Sequence, residues 1–252
     1  MIFRVVVTGL NCERWATFCL QSITEATRGH TVYIYAVDDG SSDLTHRHLR
    51  AYTMRSSLPT ITIIHNAINL GAAHARWQAI EAMRPHAGAD DVVVFVDMDD
   101  FLLPNALDVI ARAYQNQWAA ITYGNWFDVQ TGEINPLQYY PMEIASNGRW
   151  RELPFWATAP RTCIWRLVAQ LTPEDFIYES VWLQTCTDVA LMFRLFSLVD
   201  NFRAIVPIAE PIYAYRQNTG INSLVRFGVE EKLRVSNLIQ QRFYESNPYY
   251  RT

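Results

Sequence analysis

Short apolar runs alternate with amphipathic segments through the first half of the chain. Runs rich in β-branched residues predict strands, and segments whose apolar residues recur every three or four positions predict helices. The predicted strands are residues 2–8, 31–37, 60–65, 92–97 and 119–123. The predicted helices are residues 15–26, 42–52, 71–83 and 104–114, the last beginning at Pro104. This alternation predicts an α/β fold whose mostly parallel central sheet is flanked by helices.

The second half of the chain has a less regular pattern. A short hairpin is predicted over residues 126–134 with its turn at Thr131-Gly132, followed by an irregular aromatic segment at 136–160. Helices are predicted near residues 162–171, 188–198 and 228–244, and extended segments at 202–207 and 211–216. No repeat or linker separates these parts, so we expect residues 1–124 and 125–252 to form two halves of one domain.

Two groups of aspartates follow predicted strands directly. Asp38 and Asp39 follow the second strand, and Asp97, Asp99 and Asp100 follow the fourth. The carboxyl ends of parallel strands meet at one edge of an open α/β sheet, which is where ligands bind. A cluster of carboxylates there can hold a divalent cation, and the cation can hold a diphosphate. The pattern therefore predicts chemistry on a sugar nucleotide.

Two further motifs begin predicted helices. Residues 69–76 read Asn-Leu-Gly-Ala-Ala-His-Ala-Arg, and their small residues let the backbone approach a ligand while the helix N-terminus favours an anion. Arg76, one turn into that helix, can reach a base carbonyl or a phosphate. Residues 186–191 read Cys-Thr-Asp-Val-Ala-Leu and place Asp188 at the start of another helix.

Composition and charge narrow the class of protein. A chain of 252 residues, 50% hydrophobic, fits one sizeable domain, and its net charge of −4 predicts no nucleic-acid binding. No apolar run is long enough to span a bilayer, and no signal peptide is visible. The four cysteines lack metal or disulfide spacing, as is typical of a reducing compartment. We expect a soluble cytoplasmic protein, with peripheral membrane association left open and the oligomeric state unknown.

The order and spacing of the four motifs resemble glycosyltransferase family 2 over about residues 3–216. The stretch from Thr187 to Leu195, followed by Pro211-Ile212-Tyr213-Ala214-Tyr215-Arg216, is also typical of the second half of such enzymes. Members are inverting enzymes of the GT-A fold, a Rossmann-like α/β fold, and use nucleoside-diphosphate sugars. The resemblance implies a central sheet with a smaller acceptor-side region. Residues 1–124 would bind the nucleotide sugar, and residues 125–252 would form the half that binds the acceptor and carries the catalytic base.

The resemblance also implies a set of donor contacts, with a uridine-diphosphate sugar as the first expectation. Thr8, Asp38 and Asp39 would contact the nucleoside, one carboxylate accepting the N–H of the uracil ring. The full donor-binding set is Thr8, Asp38, Asp39, Asn69, Gly71, Arg76 and Asp97. The alternative for Asp38-Asp39-Gly40-Ser41 is an ordinary turn and helix cap.

For the metal, the resemblance implies Mn²⁺ or Mg²⁺ held by the Asp-x-Asp motif, which supplies oxygen ligands. Asp99 would be the direct ligand, while Asp97 would face the ribose or a metal-bound water. The alternative is that this cluster, Asp100 included, caps the following helix. Many family members carry a histidine after the Tyr-Arg pair, but this chain has none beyond His86. Gln217 and Asn218 occupy that region.

Asp188 is the candidate catalytic base. Inverting transfer is a single in-line displacement and needs a carboxylate opposite the leaving group to accept the proton of the acceptor hydroxyl. The alternative is that Asp188 only caps its helix. Other candidate bases are Glu174, Asp175 and Glu179.

A glycan or glycoconjugate is the expected acceptor. The aromatic segment 138–161 suits the apolar faces of sugar rings, and the acceptor candidates are Trp156, Arg161 and Arg216. Two alternative functions remain open. One is a nucleotidyltransferase of related fold, although residues 8–12 lack the expected glycine-rich basic loop. The other is a catalytically silent module that binds a sugar nucleotide or glycan.

Overall fold

The computed structural model describes residues 1–54, 59–116, 119–135, 162–199, 204–217, 219–220 and 223–246. The strands in this part are β1 Ile2–Gly9, β2 Thr31–Asp38, β3 Thr60–His65, β4 Val92–Asp97, β5 Phe101–Leu102, β6 Ile121–Asp128, β7 Ile134–Asn135, β8 Thr162–Ile164, β9 Ile177–Tyr178, β10 Val181–Trp182 and β11 Ile205–Tyr215. The helices are α1 Ala16–Ala26, α2 Thr45–Thr53, α3 Ala72–Met83, α4 Ala106–Asn116, α5 Trp165–Val168, α6 Thr187–Ser197 and α7 Ser223–Ser246.

One sheet, of nine strands in the described part of the chain, organises the fold. Its order is β3-β2-β1-β4-β8-β6-β11-β5, with β7 paired to β6. Strands β3, β2, β1 and β4 are parallel to one another, as are β6 and β11. Strand β8 is antiparallel to both of its neighbours, and β5 is antiparallel to β11. The predicted α/β fold with a mostly parallel, helix-flanked sheet is confirmed.

The central strands are apolar on both faces because helices cover both sides of the sheet. Successive side chains of a strand point to opposite faces. Val5 and Val7 of β1 therefore belong to the apolar cluster that includes residues of α1, α2 and α4, while Val6 belongs to the cluster on the other face, with residues of α3, α5, α6 and α7. All three valines are buried. Because both faces of the sheet are buried, each of these strands is a continuous apolar run in the sequence. The first polar residue after such a run therefore shows where the strand ends.

Two predictions about helices were wrong. Residues 162–171 do not form one helix, because Thr162–Ile164 is a strand that fills the gap between β4 and β6 and pairs with both. Only Trp165–Val168 is helical there. Helix α4 begins at Ala106 rather than Pro104, because the backbone N–H of Ala106 donates to Leu103 O and closes a turn through Pro104 first.

The end of the chain also departs from the predicted pattern. The two predicted extended segments form a single strand, Ile205–Tyr215, whose register against β6 shifts between Ile208 and Tyr213. The last helix starts at Ser223, but Gly228 interrupts it with φ 73° and ψ 171°. Among the described helices, none combines the length and apolar character needed to cross a membrane.

Candidate active site

A cleft of about 190 Å³ opens at the carboxyl ends of β1 and β4. Thr8 and Asp97, which pair in register on these two strands, lie on its floor. The start of α3 forms one wall, and residues 184–188 leading into α6 form another. Arg226, Phe227 and Lys232 of α7 complete the lining. The cleft therefore joins elements from both halves of the chain.

Most of the candidate residues meet in this cleft. Those that line it are Thr8, Asp39, Arg76, Asp97, Asp99 and Asp188. Among the described residues, the candidates outside its lining are Asp38, Asn69, Gly71 and Arg216. Trp156 and Arg161 lie outside the described residues.

The Asp39 carboxylate holds the loop before α3 against the end of β2 through hydrogen bonds. Its Oδ1 accepts hydrogen bonds from Asn66 Nδ2 at 2.8 Å and from the backbone N–H of Leu70 at 3.1 Å. Its Oδ2 accepts from the backbone N–H of Gly71 at 2.8 Å. A carboxylate has about four acceptor positions, so three protein donors leave one for a ligand in the cleft.

Asp38 has different surroundings from its neighbour. Its carboxylate is fully buried. Oδ1 accepts from the backbone N–H of Ser41 at 3.1 Å, and Oδ2 lies 2.9 Å from His65 Nδ1. Asp38 therefore supports the turn after β2 and does not reach the cleft. The alternative prediction for this motif, an ordinary turn, fits the contacts of Asp38 better than those of Asp39.

Asn69 and Gly71 shape the loop rather than lining the cleft. Asn69 Oδ1 accepts from the backbone N–H of Gly71 at 2.9 Å. Gly71 has φ 99° and ψ 154°, a backbone conformation that essentially only glycine adopts. A Cβ at this position would also lie 2.3 Å from Gln184 Nε2, which donates to Leu70 O. The glycine thus lets the loop press against Gln184 on the facing wall.

Arg76 connects the end of β4 to the start of α6. Its guanidinium is buried, and Nη2 donates to Asp97 Oδ1 at 2.8 Å. Nη1 donates to Thr187 Oγ1. Asp97 remains half exposed toward the cleft. This bridge holds Asp188, the residue after Thr187, in fixed relation to the carboxylates on the opposite side.

Asp99 is a partly buried acid close to a second acid, Asp97. Its Oδ2 accepts from Thr219 Oγ1 at 2.9 Å, and its backbone carbonyl accepts from Arg216 Nη1 at 3.0 Å. Burial, reinforced by the nearby charge of Asp97, raises the pKa of Asp99 to about 6. The ionised form of Asp99 is therefore less stable in the folded chain than in water, and a nearby cation would stabilise it.

Asp100 anchors strand β11. Its Oδ2 accepts from the hydroxyl of Tyr213 at 2.6 Å and its Oδ1 from the backbone N–H of Arg216 at 2.7 Å. Burial raises the pKa of Asp100 well above its ordinary value. Both of these contacts lead to β11 or the residue after it, so the alternative reading of Asp100 as a cap for α4 is not supported by them.

Asp188 is the second residue of α6 and lines the cleft. The N-cap of this helix is Cys186, which has a left-handed φ of 55°. Asp188 is thus not the cap, although its charge in the first turn is favourable for the helix dipole. The other candidate bases, Glu174, Asp175 and Glu179, are absent from the lining of the cleft as far as the structure describes it.

Arg216 packs against three aromatic rings next to the turn that carries Asp99. Its guanidinium lies 4.4 Å from the ring centroid of Trp15, 4.9 Å from that of Phe18 and 4.8 Å from that of Phe101. Together with its hydrogen bond to the Asp99 carbonyl, these contacts make Arg216 a support for the Asp-x-Asp turn.

Gln217, which occupies the region of the family's histidine, makes its hydrogen bonds away from the acidic residues of the cleft. The side chain of Gln217 donates to Asp128 Oδ2, and its backbone N–H donates to Gln130 Oε1 at 2.9 Å, so it belongs to the β6–β7 hairpin. Asn218 lies outside the described residues. Among the described residues of this segment, Thr219 contacts Asp99.

Sequence reasoning missed the contribution of α7. Arg226 and Lys232 add positive charge to a cleft rich in acids, and neither belongs to a motif. Two signals were available in the sequence. Lys232 is the only lysine of the chain, and Gly228 interrupts a helical pattern close to the two cations.

Comparisons with known proteins identify a family and a relative. The model of the family described as glycosyl transferase family 2 matches residues 4–176. The Glycosyltransferase GlyG of Streptococcus pneumoniae serotype 4 (strain ATCC BAA-334 / TIGR4) is 24% identical over 229 residues, which are 87% of this chain and 72% of that protein.

Solved structures share the fold at low sequence identity. S. aureus TarS 1–349 in complex with UDP-GlcNAc aligns with a TM-score of 0.66 and 17% identity, over 97% of this chain and 67% of that one. M. tuberculosis glucosyl-3-phosphoglycerate synthase aligns with a TM-score of 0.53 and 14% identity, over 94% and 81%. In the alignment with another structure of TarS 1–349, this chain spans 60% of the length of that solved chain.

Proposed function

Because the chain belongs to glycosyl transferase family 2, we propose that it transfers a sugar from a uridine-diphosphate sugar to a hydroxyl of a glycan or glycoconjugate, with inversion at the anomeric carbon. The fold is of the GT-A type, in agreement with the solved structures. The observation that carries the proposal is one cleft in which Asp39, the Asp97–Asp99 pair and Asp188 face a common space.

Donor recognition begins at the ends of β1 and β2. Thr8 and Asp39 line the cleft, and the free acceptor position on the Asp39 carboxylate suits the N–H of a uracil ring. Arg76 adds a cation beside them. The choice of uridine is also supported by TarS, which was solved with UDP and with UDP-GlcNAc. In this proposal residues 1–124 hold the donor, with Asn69 and Gly71 shaping the pocket.

The residues present fit a divalent cation. Asp97 and Asp99 offer carboxylate oxygens, the donor type that Mn²⁺ and Mg²⁺ prefer. The raised pKa of Asp99 reflects a buried negative charge that a cation would stabilise. When bound, such an ion would offset the charge that develops on the diphosphate as the sugar leaves.

Asp188 is the proposed general base. The acceptor oxygen forms its bond to the anomeric carbon while the bond from that carbon to the diphosphate oxygen breaks, and the hydroxyl proton passes to the Asp188 carboxylate. Arg76 supports this arrangement by binding both Thr187 and Asp97. We assign acceptor binding to residues 125–252, with Trp156 and Arg161 as proposed contacts and Arg216 as a support.

A screen of nucleotide sugars for thermal stabilisation tests the choice of donor. We expect UDP-sugars, in the presence of Mn²⁺, to raise the melting temperature more than GDP- or dTDP-sugars do. Each should raise it less when EDTA replaces the metal. If no UDP-linked compound stabilises the chain under either condition, the uridine assignment is wrong.

We also propose that Lys232, which lines the cleft, contacts the diphosphate of the donor. Lys232→Ala is expected to weaken UDP binding by about 1 kcal/mol, or roughly fivefold in Kd, because the lysine is partly exposed. Affinity for uridine, which has no phosphate, should stay unchanged. Both affinities can be measured by calorimetry.

Arg234→Ala is the matched control for Lys232→Ala. It removes the same charge from α7, but Arg234 is exposed and pairs with Glu231 at 2.8 Å and with Glu179 at 3.4 Å. Equal losses of UDP affinity in the two variants would mean that only the overall charge matters. The proposed contact would then be incorrect.

A further inference from the structure

A second group of possible metal ligands lies outside the cleft. Asp38, His46 and His65 each offer one ligand atom, and these atoms lie within 4.8 Å of one another. Asp38 ends β2 and His65 ends β3, where the two residues pair in register. His46 is the second residue of α2. The group therefore forms where two parallel strands and the start of a helix converge.

The distances within the group are close to those of a tetrahedral site. His65 Nδ1 lies 2.9 Å from Asp38 Oδ2, and His46 Nδ1 lies 3.8 Å from the same oxygen. The two imidazole rings are 4.2 Å apart between centroids and inclined by 36°. Ligand atoms on one tetrahedral Zn²⁺ are about 3.3 Å apart, given metal bonds of about 2.0 to 2.2 Å. The observed separations bracket that value.

A buried nitrogen of this group has no hydrogen-bond partner. His46 Nδ1 is inaccessible to solvent and makes no hydrogen bond with any described residue. Such an atom is unusual in a folded protein and calls for a physical explanation. Asp38 supplies a fully buried carboxylate beside this nitrogen.

We propose that Asp38, His46 and His65 form a second metal site, distinct from the Asp97–Asp99 pair, that binds Zn²⁺. Two imidazole nitrogens and one carboxylate suit Zn²⁺, whereas Mn²⁺ and Mg²⁺ prefer oxygen ligands. The two imidazoles are 35% and 41% exposed, so water can supply the fourth ligand. The two sites of the chain would thus select different ions.

The position of the site gives it a structural consequence. Asp38 also accepts from the backbone N–H of Ser41, and the next residue, Asp39, lines the cleft. A metal on Asp38 would tie β2, β3 and α2 together at the turn that carries Asp39. The inference does not depend on the proposed glycosyl transfer, since it concerns metal binding alone.

The test is a titration of the metal-free full chain with Zn²⁺ alone, followed by calorimetry and by mass spectrometry of the native protein. We expect one tightly bound Zn²⁺ that raises the melting temperature. His46→Ala and His65→Ala should each weaken binding at least about 100-fold, since even loss of an outer-shell partner weakens it 10- to 100-fold. His48→Ala, a histidine of the same helix outside the group, should bind as the parent does.

Asp99→Ala removes a ligand of the other proposed metal site, the Asp97–Asp99 pair. This variant should therefore retain the Zn²⁺ affinity of the parent. Co²⁺ added to the unaltered chain gives a readout that needs no variant, since tetrahedral nitrogen and oxygen ligation produces strong visible absorption. The proposal is overturned if the parent binds no stoichiometric Zn²⁺ and gives no such absorption. It is also overturned if His46→Ala and His65→Ala bind Zn²⁺ as tightly as the parent, which would leave a plain Asp38–His65 hydrogen bond.

Discussion

Asp188→Asn is expected to fold and bind donor almost normally while turnover falls about 10²- to 10⁴-fold, the range that removal of a general base gives. Asn matches the size of Asp but cannot accept the proton of the acceptor hydroxyl. The substitution removes a charge from the first turn of α6, an effect of only about 0.3 to 1 kcal/mol on stability. Turnover measured at saturating donor, alongside thermal melting, checks both parts of the expectation.

Glu179→Gln is the matched control for Asp188→Asn. It also neutralises a carboxylate of the second half, but Glu179 is exposed, pairs with Arg234 at 3.4 Å and is absent from the described lining of the cleft. Its turnover should equal that of the parent. If Asp188→Asn turns over at the parental rate, or if the product retains the anomeric configuration of the donor, the assignment of the base is wrong.

Asp99→Ala is expected to abolish metal-dependent binding of UDP and to leave the fold intact. The carboxylate has a pKa raised to about 6 by burial and by Asp97, so its ionised form destabilises the folded chain at pH 7. Removing it relieves this cost, although the hydrogen bond from Thr219 is lost as well. Calorimetric titration of UDP with and without Mn²⁺ measures the effect.

Asp90→Ala provides the control for the loss of one negative charge. Asp90 is exposed and pairs only loosely with Arg166, at 3.4 Å. This variant should bind UDP with the metal dependence of the parent. Parental binding by Asp99→Ala in the presence of Mn²⁺ would remove Asp99 from the metal site.

The sequence predicted the positions of the acids at the sheet edge because the strands are buried on both faces. The apolar run of β4 ends where polar residues begin, so Asp97 and Asp99 were placed at the edge from the pattern alone. The pattern could not separate Asp38 from Asp39. Asp38 lies beneath the turn and contacts His65, whereas Asp39 faces the cleft.

Long-range packing explains what the sequence did not predict. Strand β8 forms because β4 and β6 both leave an edge to be paired, and no local pattern in Thr162–Ile164 reveals those neighbours. Lys232 reaches the cleft because α7 packs on α6, where the rings of Phe193 and Phe243 lie 4.8 Å apart. Such contacts join residues that are far apart in the chain, and the local pattern of apolar residues does not predict them.

The identity of the released nucleotide tests the central claim most directly. The chain is incubated with Mn²⁺, the UDP-sugar that stabilises it most and a panel of saccharide acceptors, and the phosphorus-containing products are identified by ³¹P NMR. We predict release of UDP, dependent on both Mn²⁺ and Asp188, with the sugar transferred in inverted configuration. Release of a sugar 1-phosphate would indicate transfer of the uridylyl group instead, and release of UMP would indicate transfer of a sugar phosphate. Tight donor binding with no more UDP than Asp188→Asn yields would indicate a silent binding module and contradict the account.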